Sequence, residues 1–136
     1  MTGGRHIQPN PPRIALVVFS GTADLKWLKV LKPGFRHCFT ILENDDRWII
    51  YDPLSHQTEI TIIEDLSLRE LVEGYRKLGF RVIPWVVHRA APRPAPMGLY
   101  TCVEAVKRVL GIHAPLIITP WNLFNFLKKL KNEFYP

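Results

Sequence analysis

Cys102 opens the segment Thr101-Cys102-Val103-Glu104-Ala105-Val106-Lys107-Arg108-Val109-Leu110-Gly111, whose spacing predicts a helix. A thiol at a helix start meets unpaired backbone N–H groups and the positive end of the helix dipole. Both stabilise a thiolate and lower its pKa from the usual ~8.5. A second fragment, Gly34-Phe35-Arg36-His37-Cys38-Phe39-Thr40-Ile41-Leu42, reads as a strand with a histidine at its beginning, and that imidazole could serve as general base. Cys and His within reach of one another make an acyl-transfer pair: the thiolate attacks an acyl carbon and the imidazolium protonates the leaving group. Backbone N–H groups at the helix start can hold the developing oxyanion, with Thr101 or Tyr100 as nearby assistants.

The elements that must position these groups follow from pattern. Arg13 to Ser20 is a short apolar run rich in β-branched residues and predicts a buried strand. Thr22 to Leu31 has helical spacing with Thr22 as cap, ended by Pro33-Gly34. A hairpin follows, with strands from about Arg36 to Leu42 and Arg47 to Asp52 joined by Asn44-Asp45-Asp46. Gln57 to Ile63 alternates polar and apolar residues as a further strand, and Ser67 to Gly79 is a capped helix with a glycine stop. Phe80 to Val87 is another strand, which Pro84 assigns to an edge or a bulge. The Ala/Pro-rich stretch 90–98 is an extended loop leading to Cys102. The Cys102 helix puts Val103, Val106, Val109 and Leu110 on one face and sends Lys107 and Arg108 towards the other. A final helix starts at Thr119-Pro120.

At 136 residues the chain predicts a single α+β domain over 1–136, with residues 1–12 flexible. No apolar run is long enough for a membrane span, and the first residues lack the apolar centre of a secretory signal, so a cytoplasmic or virion-associated location is expected. In a reducing compartment the two cysteines are expected to stay unpaired, with Cys38 packing as a small apolar residue. The net charge of +6 would suit an anionic envelope polymer, an acidic partner or nucleic acid. No interleaving of basic and aromatic residues supports nucleic acid, and Lys128-Lys129-Leu130-Lys131 reads as a solvated helix end.

The order of these elements resembles the circularly permuted papain-like cysteine hydrolases, relatives of the NlpC-type cell-wall peptidases and the lecithin-retinol acyltransferases. His37 enters the first strand of a hairpin, a polar residue follows on the next strand, and Cys102 opens a later helix. The resemblance implies an antiparallel sheet or partial barrel packed against helices, with the cysteine at a helix N-terminus. It assigns Cys102 as nucleophile and His37 as base, and it implies a third residue that hydrogen-bonds the far imidazole nitrogen. If the hairpin pairs Glu43 with Trp48, Asp52 shares a face with His37; a shift of one residue presents Tyr51 instead, and His56 stands in reserve just past the strand. The implied substrates are peptide, cell-wall or acyl compounds, with no cofactor and no metal. The runs Gly34 to Leu42, Trp48 to Leu54 and Thr101 to Gly111 are also similar to small proteins of phage-like gene clusters in bacteria, which implies phage-like structural partners.

Plainer readings stand beside these. Cys102 could be a buried small hydrophobe, His37 a strand-end residue bonded to a carbonyl, and Asp52 before Pro53 a turn-former. The chain would then be a non-catalytic structural or adaptor protein. His6, His88 and His113 show no partner pattern, and the spacing of His37, Cys38, Cys102 and His113 matches no standard zinc cluster. The tryptophans are expected to pack, with Trp48 a candidate to line the cleft.

Overall fold

The computed structural model describes residues 13–21, 35–54, 57–87 and 101–134. They form strands β1 (Arg13–Ser20), β2 (His37–Asn44), β3 (Arg47–Pro53) and β4 (Thr58–Glu64), helix α1 (Leu68–Lys77), strand β5 (Arg81–Val87), and helices α2 (Cys102–Leu110) and α3 (Pro120–Phe134). The segments expected as a helix over 22–31, a loop over 90–98 and a flexible start over 1–12, with His6, His56, His88 and Tyr100, lie outside the described residues.

All strand pairings are antiparallel, in the order β4-β3-β2-β1-β5. The fold is therefore α+β, and the sheet is open, with β4 and β5 as its edges. β1 lies inside it, and its uninterrupted apolar run follows from burial on both faces. Ala15, Val17 and Phe19 pack with Val103, Val106 and Leu110 of α2 and Leu123 and Leu127 of α3. The alternate residues Leu16 and Val18 pack with Phe39, Ile41, Trp48, Val82 and Leu71 of α1. Each fully buried side chain of this size contributes about 1.5–3 kcal/mol by leaving water, so the sheet is held by a core on each face.

Local signals set the element ends. Asp45, with φ 56°, makes the tight turn between β2 and β3, a conformation that aspartate tolerates better than most residues. Ser67 and Glu70 complete a capping box at the start of α1. Pro84 is accommodated because, among the described residues, β5 pairs on one side only. Thr119 caps α3 by accepting from the Asn122 amide at 3.2 Å.

Trp48 packs in the core, as expected of the tryptophans, with its Nε1–H donating to the Leu66 carbonyl at 2.8 Å. One expectation changes. Lys107 is only 4% exposed, whereas the helix pattern sends it to solvent with Arg108. The chain after α2 turns back over this side, where the Ala114 carbonyl accepts from Lys107 Nζ at 2.9 Å and Glu104 pairs with it at 3.0 Å.

Candidate active site

The pairing of β2 with β3 matches Glu43 to Trp48, the register that puts Asp52 on the His37 face. That ladder runs from Asn44–Arg47 to Thr40–Tyr51 and stops. His37, Cys38 and Phe39 on one strand, with Asp52 and Pro53 on the other, extend beyond its last pair. Side chains at this end are released from the regular cross-strand spacing and can meet diagonally. His37 Nε2 lies 2.6 Å from Asp52 Oδ1, with both side chains mostly buried. Tyr51, one residue earlier, stands opposite Thr40, so the register selects Asp52 over Tyr51 as the partner. The imidazole also stacks beside Phe39, ring centroids 6.3 Å apart.

Helix α2 packs on β2 and β3 and brings Cys102 to the same end of the sheet. Cys102 is the first residue of α2; Thr101, the N-cap, accepts from the Glu104 amide at 3.3 Å. The cap fixes where the helix begins, and so which residue occupies the anion-stabilising first turn. Gly111, at φ 73°, closes the other end in the left-handed conformation that glycine adopts without strain.

The electrostatics couple the three groups. Burial works against a charge on His37, but hydrogen bonds with Asp52 and Cys102 and attraction to their negative charges outweigh it, raising the imidazole from 6.5 to about 9. Cys102 is lowered to about 5: the Cys38 thiol donates to it, burial opposes, and the hydrogen bond and positive charge of His37 add to the stabilisation. Between these values the pair exists as thiolate and imidazolium. With Nε2 given to the carboxylate, Nδ1 is the ring nitrogen left for the thiol.

Two contributors went unread in the sequence. Cys38 is completely buried in the core as expected, yet its Sγ lies 3.8 Å from Cys102 Sγ, and it donates through both S–H and backbone N–H. Burial pushes its own pKa well up, which keeps it a neutral donor. Adjacent strand residues face opposite sides, so a sequence reading that gives His37 to the site assigns Cys38 elsewhere. Cys102 packs on the Cys38 face of the sheet, and His37 reaches it from the strand's first position, at the sheet's end. The second is Tyr75 of α1, packed edge-on to Phe39 at 5.8 Å; burial and the nearby Asp52 charge hold its phenol protonated. Its four-residue spacing from Leu71 on the core-facing side of α1 was the available signal.

His113 is exposed, and among the described residues no three His, Cys, Asp or Glu side chains gather as a metal-ligand set. No described helix is long and apolar enough to cross a membrane. No family model, curated protein or solved structure matches this chain.

Proposed function

We propose that this protein is a thiol hydrolase of the permuted papain-like kind, in which Cys102 is the nucleophile, His37 the proton carrier and Asp52 the residue that orients and charges the imidazole. The observation that carries this reading is the Asp52–His37 contact of 2.6 Å beside a cysteine at the first position of α2. The Cys102 thiolate attacks the acyl carbon, and the carbonyl oxygen collects negative charge against first-turn amides of α2. His37 gives its proton to the leaving amine or alkoxide. Water, deprotonated by the neutral imidazole, then releases the acyl group and restores the thiolate. The substrate is an amide or ester, foremost a peptide or peptidoglycan bond; a net charge of +6 draws the protein to an anionic envelope.

A second reading, an inert adaptor of a phage-like particle, draws on the edge strand β4, where Ile60 and Ile62 are 67% and 57% exposed. One experiment separates the two: iodoacetamide labelling of Cys102 across pH, followed by mass spectrometry, in the native protein and in His37→Ala. The hydrolase reading expects fast labelling with a midpoint well below ~8.5 that moves up in the variant. Labelling that appears only in denaturant, in both proteins, would leave the adaptor.

A further inference from the structure

The chain has two cysteines, and the fold brings their sulfurs to 3.8 Å across a sequence separation of 64 residues. Hydrolysis by Cys102 needs one thiol. A second one in van der Waals contact with it creates a chemistry that the acyl-transfer reading does not use.

We propose that Cys38 and Cys102 form a site of reversible oxidative modification, in which a hydroperoxide oxidises Cys102 and Cys38 resolves the product into an intramolecular disulfide.

The two thiols are unequal in the way such a site requires. Cys102 is half-buried at a helix end, while Cys38 is completely buried between Phe19 and the helices. An oxidant therefore reaches Cys102 first, and Cys102 is also the thiol held as thiolate, the form that reacts with peroxide. In the first step the Cys102 sulfur forms an S–O bond as the O–O bond breaks; the sulfur loses two electrons, and the departing alkoxide or hydroxide takes a proton from the His37 imidazolium. In the second step Cys38 Sγ attacks the sulfenic sulfur, the S–S bond forms, and the S–O bond breaks. The oxygen leaves as water with the Cys38 proton.

Closure needs one short approach of the two sulfurs. A disulfide needs the sulfurs about 2.05 Å apart, so they must approach by roughly 1.8 Å. Cys38 is held opposite Phe19 in the β1–β2 ladder, whereas Cys102 is the first residue of its helix, where the backbone frays most readily. The movement belongs to the helix start. Without a resolving thiol, continued oxidation would take Cys102 to the sulfinic or sulfonic acid, which thiol reductants do not restore. With it, the nucleophile is stored as a disulfide that a dithiol returns.

The test uses the full, reduced chain, exposed to hydrogen peroxide, blocked with iodoacetamide and weighed intact without reductant. The expected product is a monomer lighter by two hydrogens and carrying no alkyl group. With only two cysteines in the sequence, that mass identifies the Cys38–Cys102 bond, and a cross-linked peptide locates it. Dithiothreitol then restores alkylation at Cys102. In Cys38→Ala the same treatment adds two or three oxygens to Cys102, and dithiothreitol does not remove them. Oxygen-added monomer or disulfide-linked dimer from the wild-type chain, with no internal cross-link, overturns the proposal, and this readout needs no variant to fold. The hydrolase reading is judged separately, by labelling of the reduced protein: fast labelling without a cross-link keeps the hydrolase and removes the redox site.

Discussion

His37 and Asp52 meet at 2.6 Å beyond the last pair of the β2–β3 ladder, fifteen residues apart in sequence, joined by a hairpin whose turn is Asp45-Asp46. The hairpin register thus sets the charge state of the imidazole, which acts together with the Cys38 thiol to ionise Cys102.

The pH dependence follows from the two shifted groups. Cys102, lowered to about 5, is nucleophilic only above that value, and His37, raised to about 9, can donate its proton only below that one. Hydrolysis of a confirmed substrate should give a bell with limbs near 5 and 9. Alkylation needs the thiolate alone, so it should rise through about 5 and show no fall near 9.

Asp52→Asn keeps a hydrogen-bond acceptor and removes the charge. The His37 pKa should fall, the labelling midpoint of Cys102 should rise, and the hydrolysis bell should narrow from both sides. Because Asp52 helps raise the mostly buried His37 to about 9, the melting temperature should also fall at neutral pH, where the imidazolium is present. An unchanged titration of Cys102 would falsify the orienting role.

Cys38→Ala deletes the thiol donor and leaves the backbone N–H. The labelling midpoint of Cys102 should move up, because the Cys38 thiol is the largest cause of its lowering, and should stay below the ordinary ~8.5 because His37 and the backbone donor remain. The small void in the core should cost on the order of 1–2 kcal/mol, measurable by urea unfolding.

Thr101→Ala removes the oxygen that accepts from the Glu104 amide. The expected loss is about 1 kcal/mol. Fraying of the first turn should also raise the Cys102 titration midpoint, so stability and labelling should shift together in this variant.

Lys107→Ala strips a buried ammonium from Glu104 and from the Ala114 carbonyl, with Arg108 left to pair with Glu104 at 3.1 Å. Chemical denaturation should show a loss of about 2–4 kcal/mol. The labelling midpoint should stay put.

Much of the element order was legible because it is written in local chemistry. Ser67 and Glu70 announce α1, Gly111 ends α2, and the apolar run from Ala15 to Phe19 marks a strand covered on both sides. Cys102 at a helix start needed nothing beyond its own segment. Choosing Asp52 over Tyr51 needed the register, a one-residue question that composition does not answer and the Glu43–Trp48 pairing does. The burial of Lys107 and the contact of Cys38 with Cys102 are not legible in the sequence for a shared reason. Each owes its role to a chain segment distant in sequence or beyond the helix wheel: the Ala114 turn for one, the end of α2 for the other.

The contrast in accessibility between the two thiols gives this fold an internal report on its own integrity. Folding normally shields a cysteine from reagents, and Cys38, sealed in the core, should behave that way. Cys102 should do the reverse. At mildly acidic pH an unfolded thiol, with its pKa near ~8.5, is almost entirely protonated and slow, while the native one is already ionised. At such a pH alkylation marks Cys102 in intact molecules, and marks Cys38 in none that have stayed closed. A mildly acidic pulse would then count native chains through Cys102, and a second pulse above ~8.5 would count opened ones through Cys38, without a substrate or an added dye.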